Sequence, residues 1–535
     1  MTYSVLLKGF RTSENYFLSD TWLKKIFKII FSQEEYLKLE PLWNSIGARA
    51  ALDMNEWARE ADRHGPVLVQ RNWYGEDIQQ IKFHPAYDNL LKIAIESGMF
   101  RIKWNPEVRK FYVGKRHSAG FSIGFFYAMS ENGLYCPLCM TDGAALLIEK
   151  YGDEGDKKRL LPRIYTQNVE EFKTGAMFLT EKSGGSDVGN NQTVARRMYD
   201  NWYKLNGEKW FCSNANADMI FVLARTNSDI PGTKGLSIFL VEPFLPDGSK
   251  NPLQMVRLKD KLGVRSMASA EIILTDTIGK IYGSEGEGFK IMSDMINLSR
   301  LYNAVTAVAD VRRAIIETWQ FLEFRMAFGK PVNAHSLMRK KWLELIYHYL
   351  GDLALLWRAI QAYDRAELGD ANEAALIRLI TPMIKKCTAR NAVYMIRETM
   401  ELMGGMGYIE DGILPRLYRD ALVLPIWEGT GNIMTLDMKR VLIKQPEVKS
   451  VICHLPEFKS SVKISTLFDE TDAILSRQDS ECELEDLLFK IEMELKKVLL
   501  QKYFENEALV QKLIDTQNSR DFNHEEVKNL IGWEF

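Results

Sequence analysis

Between Leu343 and Ile360 the chain reads L-E-L-I-Y-H-Y-L-G-D-L-A-L-L-W-R-A-I. Leu343, Ile346, Tyr347, Leu350, Leu353, Ala354, Trp357 and Ile360 recur at three- and four-residue steps, so a helix gathers them on one face. Long helices with such faces bury one another in a bundle, and the same period from Phe289 onward predicts one over 284–445. Upstream, from Lys173 to Ile281, the period gives way to short alternating or β-branched runs, M-I-F-V-L-A, L-S-I-F-L-V and A-E-I-I-L, broken by Gly, Pro, Asn and Asp. These predict a compact β domain, a barrel or sandwich, over 173–283. From Ser19 to Gln167 the pattern is helical, with breaks at Pro66, Pro85 and Pro106, so 1–172 is expected to be an N-terminal helical domain. Beyond Pro446, Leu484, Leu487, Leu488, Ile491, Leu495 and Val498 form a further helical stripe within a C-terminal extension, 446–535. The expected fold class is α+β, mainly α.

A chain of 535 residues, 46% hydrophobic, can bury a large core in several packed units. Its formal net charge of -2 exerts no global pull on nucleic acid. Among six cysteines only Cys136 and Cys139 form a C-x-x-C, with no second pair and no histidine nearby, so buried thiols and no metal site are expected. The start, M-T-Y-S-V-L-L-K-G-F-R, lacks a signal-peptide core, and no apolar run reaches membrane-spanning length. The expectation is a soluble, cytoplasmic protein.

Four segments carry chemistry. In R-D-A-L-V-L-P-I-W-E-G-T-G-N, Glu428 stands between Trp427 and a Gly-Thr-Gly-Asn stretch that starts a helix. A carboxylate against an indole loses hydration and gains basicity, while helix N-terminal N–H groups act the other way. Glu428 is thus a candidate general base, with a helix cap as the other reading. Met177–Asp187, M-F-L-T-E-K-S-G-G-S-D, ends in a turn rich in N–H and hydroxyl donors, which suits a flavin edge or phosphate as well as a plain glycine turn. In W-Y-K-L-N-G-E-K-W-F-C-S-N, Asn206-Gly207 predicts a two-residue hairpin turn, placing Trp210, Phe211 and Ser213 on a strand. In E-L-M-G-G-M-G-Y, Gly404, Gly405 and Gly407 interrupt a helix where a ligand can approach the backbone.

In this order and spacing the segments resemble the acyl-CoA dehydrogenase superfamily, which uses FAD, and within it the AidB-like branch of alkylation-response flavoproteins. The branch is marked by Thr-Gly-Asn after the aromatic-acid-Gly triplet, by T-E-K-S-G-G-S-D, K-W-F-C-S-N and L-K-D-K-L-G-V-R-S-M-A-S, by F-H-P-A-Y-D near His84 and by C-P-L-C-M-T at Cys136. The resemblance implies flavin contacts from Met177, Leu179, Thr180 and Ser186, with Thr180 at the ring edge and Phe211 and Ser213 beside the ring. It implies that Arg325, with Glu401, Gly404 and Gly405 of a neighbouring subunit, grips the pyrophosphate and adenosine, and that Thr430 and Asn432 add further contacts. The reaction implied is α,β-dehydrogenation of an acyl-CoA thioester, in which Glu428 removes the pro-R α-proton and the β-hydride passes to flavin N5. A homotetramer, and an electron-transfer flavoprotein as acceptor, are the partners implied.

Two departures bear on that reading. Where the dehydrogenases hold the CoA nucleotide with an Asp and an Arg three residues on, this chain has Asn297 and Arg300, so Arg300 alone carries the expected contact. Glu401 replaces a Gln, which removes a donor. The AidB-like branch is also known for slow turnover and for binding DNA through a basic C-terminal surface. Lys439, Arg440 and Lys444 are the cations for such a patch, but a helix C-terminus favours cations regardless, and the following tail is acidic. DNA is therefore the less favoured partner. An acyl-CoA dehydrogenase, a DNA-binding damage-response flavoprotein and an acyl-CoA-binding regulator are the three functions to be separated.

Overall fold

In the computed structural model, which describes residues 13–516 and 518–534, the chain divides into two compact units that do not follow sequence order. The opening segment M-T-Y-S-V-L-L-K-G-F-R lies outside the described residues. One unit combines Met54–Lys110 with Glu131–Tyr302; the other combines, of the described residues, 13–53, Phe111–Ser130 and those from Asn303 onward.

The first unit is built on β3 (Gly175–Phe178), β4 (Val194–Tyr199), β5 (Trp202–Ser213), β6 (Met219–Arg225), β7 (Leu236–Val241), β8 (Leu253–Leu258) and β9 (Ser269–Tyr282). β6, β7, β9, β5 and β4 pair in that cyclic order, and the ring closes through one parallel pair, Val194 with Arg225. The sheet is thus a small barrel, with β3 added parallel to β6 and β8 added to β9. Phe178, Leu205, Val222, Phe239 and Ile272 are fully buried inside it.

Two expectations change here. The turn between β4 and β5 falls at Asp200–Asn201, since Tyr199 pairs with Trp202 and Asp200 is left-handed (φ 41°). Asn206-Gly207 instead lies within β5 at a bulge against β9: Asn206 exchanges hydrogen bonds with Asp276, and a Cβ on Gly207 would stand 2.5 Å from Thr193 Oγ1. The glycine is there for close approach, a use that sequence alone cannot separate from a turn. The N-terminal region is also not wholly helical. β1 (Val67–Arg71) and β2 (Asp77–Lys82) form a hairpin turned by Gly75 (φ 82°), and its Leu68 and Ile81 pack on the barrel.

The second unit is helical. Helix Ser336–Glu367 is buried on the expected face, Tyr347 only partly, and also at Trp342, Leu345, Leu355 and Leu356, so neighbours surround it. Those neighbours include Ala371–Met403 and, from the extension, Glu481–Tyr503. Lys496 enters between Asp352 (2.5 Å) and Glu492 (2.6 Å), all three buried. The chain ends meet in the same unit. Arg312 donates to Asp20 (2.7 Å) and to the carbonyls of Ile531 and Gly532, while Trp22 Nε1 donates to Leu530 (3.0 Å) and Glu534 N to Ser19 (2.8 Å). The extension is therefore part of the core. No helix among the described residues is long and apolar enough to cross a membrane.

Candidate functional site

In the barrel unit, the segment after β3 is shaped by one buried carboxylate. Glu181 accepts from Gln192 N (2.6 Å), Thr193 N (3.0 Å), Thr193 Oγ1 (2.6 Å) and the Lys209 ammonium (2.8 Å). Burial works against its charge, but the Lys209 ammonium and the converging donors outweigh that and hold its pKa below the usual range. For Lys209, fully buried on β5, burial wins and pushes the ammonium's pKa down. Thr180 O accepts from Trp210 N (2.9 Å) and Leu179 O from Asn191 Nδ2 (2.9 Å), so Met177, Leu179 and Thr180 follow a fixed path beside β5. Gly185 leaves room for the Thr180 hydroxyl, which a Cβ would approach to 2.8 Å. Ser186 is exposed. On β5, Phe211 is 60% exposed and Ser213 Oγ lies 3.0 Å from Ser269 Oγ. This unit also holds Arg300, buried, whose guanidinium donates to Asn297 (3.1 Å).

In the helical unit, helix Ala371–Met403 ends at Gly404 (φ 71°), and Arg325 donates to the Met403 carbonyl (3.2 Å). Arg325 and the Gly-Gly segment thus meet within one chain. Gly405 is open around its Cα. Glu401 turns to Arg397 (2.6 Å), one helical turn back, and is exposed. Beside Arg325, β10 (Met326–Ala327) and β11 (Lys330–Pro331) present Phe328 at the tip of a left-handed turn, 97% exposed.

Glu428 and Gly429 are consecutive left-handed residues (φ 57° and 102°) leading into helix Gly431–Lys444. Thr430 holds the N-cap position without a side-chain cap hydrogen bond, and Glu428 lies two residues ahead of it. Thr430 and Asn432 are exposed, Glu428 is half-buried, and the Trp427 indole N–H is buried without an acceptor among the described residues. Lys385, fully buried, donates to the Gly429 carbonyl.

Sequence reading missed Glu181, Lys209, Lys385 and Phe328. Lys209 had a signal: it falls on the inward side of a strand, where a lysine needs a partner. Lys385 had none, since adjacent lysines in a helix read as solvated. Elsewhere, ligand atoms of Glu60, His64 and His84 lie within 4.8 Å of one another. His84 already accepts from Ala86 N to cap a helix (3.2 Å), so a cation there would compete with the cap.

Residues 286–443 match the acyl-CoA dehydrogenase C-terminal domain, 176–277 the middle domain of that family, and 10–170 the N-terminal domain of the adaptive response protein AidB. The chain is 35% identical to putative acyl-CoA dehydrogenase AidB of Escherichia coli over 77% of its length and 75% of that protein. The chain belongs to the acyl-CoA dehydrogenase family. Acyl-CoA dehydrogenase family member 11 of Caenorhabditis elegans is 32% identical over 80% of this chain and 71% of its own length. Among solved structures, ACDH-11 of Caenorhabditis elegans in complex with C11-CoA superposes with TM-score 0.85, at 27% identity over 95% of this chain and 93% of that one. The structure "Bd2924 apo-form" also gives 0.85, at 32% identity over 91% and 98%. Members of this acyl-CoA dehydrogenase family are FAD-dependent. The residues here suit that group: an exposed aromatic beside a serine, an open Gly-Gly segment beside an arginine, and a buried indole N–H without an acceptor.

Proposed function

We propose that the protein dehydrogenates an acyl-CoA thioester, with Glu428 as the α-proton base. The observation that carries this is the Glu428–Gly429 turn. A left-handed glutamate costs energy, and Thr430 rather than Glu428 stands at the N-cap position of the helix that follows, so we read the strained position as serving the carboxylate. A thioester α-proton is too weakly acidic for a carboxylate in water; hydrogen bonding to the thioester carbonyl, which we assign to Glu428 N–H, and exclusion of water by Trp427 make the transfer feasible. FAD, when bound, supplies the acceptor for the β-hydride. Thr180, Ser186, Phe211 and Ser213 would hold its ring, with Met177 and Leu179 lending main-chain contacts and Thr430 and Asn432 adding theirs. Arg325, with Gly404 and Gly405, would hold its phosphates, for which a guanidinium fork is suited. Arg300 would hold the CoA nucleotide. C11-CoA in the ACDH-11 structure supports an acyl-CoA ligand.

For the assembly, we propose a homotetramer in which a second copy covers Met326, Phe328, Tyr408 and Ile409, apolar side chains left exposed around the Arg325 and Gly-Gly segments. For DNA the support is weaker, because Lys439 is paired with Glu481 (2.7 Å) of the extension. Anaerobic titration of the FAD-loaded protein with acyl-CoAs of graded chain length tests the reading. Bleaching of the oxidised flavin is expected. Binding without bleaching would instead favour an acyl-CoA-binding regulator, and no binding with DNA retention a damage-response flavoprotein.

A further inference from the structure

We infer that Lys385 is the positioning residue for the Glu428 turn, an assignment that rests on the reading of Glu428 as base. Lys385 sits on Ala371–Met403 with no exposure at all, and its ammonium donates to the carbonyl of Gly429, the residue after the base. Burying an ammonium is unfavourable unless acceptors meet it, so its placement against this carbonyl fixes the direction of the Gly429–Thr430 peptide. That peptide needs fixing. Both Glu428 and Gly429 occupy left-handed backbone, where a glutamate does not rest without support, and Gly429 has Met434 Cε at 2.5 Å from where a Cβ would stand.

The next residue secures the other side. Lys386 donates to Thr435 Oγ1 (2.7 Å), one turn into Gly431–Lys444, and to Glu485 on Glu481–Tyr503. The helix after the base is thus held from Ala371–Met403 on one flank and from the extension on the other, while Lys385 alone of the two lysines reaches the turn itself. Because a base must come within about 2.6–3.2 Å of the proton it takes, and a misplacement of about 1 Å can cost roughly 10²-fold, the turn's backbone direction sets how well Glu428 works.

The test uses full-length, FAD-loaded Lys385→Met and Lys385→Arg, read by hydrogen–deuterium exchange across 425–433 and by stopped-flow flavin reduction with an acyl-CoA that bleaches the wild type. Exchange at 427–432 should rise about tenfold in Lys385→Met while 177–187 is unchanged, and the reduction rate should fall about 10²-fold with acyl-CoA affinity retained; Lys385→Arg should recover part of both. Unchanged exchange at 427–432, or a loss confined to affinity, overturns the assignment. If no acyl-CoA bleaches the wild type, the dehydrogenase reading fails and the exchange result alone decides the role of Lys385. Should Met at 385 prevent folding, Lys385→Gln carries the same two readouts.

Discussion

The barrel and the helical bundle each use a buried lysine to hold a loop, but against different acceptors. In the barrel, Lys209 meets the Glu181 carboxylate, which also gathers the backbone N–H groups of Gln192 and Thr193, so one ion pair ties together the ends of the segment from Leu179 to Thr193. In the bundle, Lys385 meets a backbone carbonyl in a two-residue left-handed turn. The first arrangement ties down a long stretch and its loss leaves a charge buried; the second steers one peptide. Failure of the first should therefore register as stability, and failure of the second as rate.

The largest effect expected is at the turn. Glu428→Gln should keep fold, FAD and acyl-CoA binding yet slow flavin reduction by about 10² to 10⁴-fold, because the amide cannot accept the proton. Rapid-mixing absorbance at equal FAD content measures it, and equal rates in the two proteins would end the mechanism. On the barrel side, Lys209→Met strands the Glu181 charge and should cost about 3–5 kcal/mol, seen as a lower unfolding temperature in calorimetry. A cost near zero would mean the ion pair does not hold the loop.

The same carboxylate gives the barrel a pH signature. Its folded pKa lies below the unfolded value, so its contribution is fully present above the ordinary glutamate range and is lost as pH falls through that range toward the folded value. Exchange of the 179–193 amides should accelerate on acidification before that of the bundle core; simultaneous loss would place the weakness elsewhere.

What the sequence disclosed follows from which interactions repeat. The helical faces and the barrel strands were legible because burial imposes a period, and Leu343 to Ile360 is buried as that period requires. Asn206-Gly207 was misplaced because a glycine needed for approach to Thr193 has the same letters as a turn. Lys385 and the pairing of residues 19–22 with 530–534 were invisible because they depend on contacts between residues distant in sequence, among them Lys385 with Gly429 and Arg312 with Asp20 and Gly532. Arg325 and Gly404 were found as residues, while their contact within one chain had no local signature.

Two smaller tests sharpen the contrast. Gly207→Ala would drive a methyl to 2.5 Å from Thr193 Oγ1, itself a donor to Glu181, and should cost roughly 1–3 kcal/mol, felt in the barrel and not in flavin reduction at fixed FAD content. Glu401→Ala removes an exposed ion pair with Arg397 and should change stability by no more than about 0.5 kcal/mol. A marked fall in FAD content for that variant would show that the carboxylate has work beyond its own helix.

The clasp between residues 19–22 and 530–534 has a consequence for biosynthesis. Ser19, Thr21 and Trp22 take partners from residues 530–534, and Gly532 must remain a glycine, since a Cβ there would stand 2.0 Å from Trp22 Nε1. A ribosome releases those partners only after the rest of both units. The helical unit consequently lacks these contacts while residues 530–534 are still in the exit tunnel, whereas Met54–Lys110 and Glu131–Tyr302 emerge earlier and can fold as the barrel unit. Nascent chains stalled short of residue 530 should carry a finished barrel beside an open bundle, the form in which a chaperone would meet them.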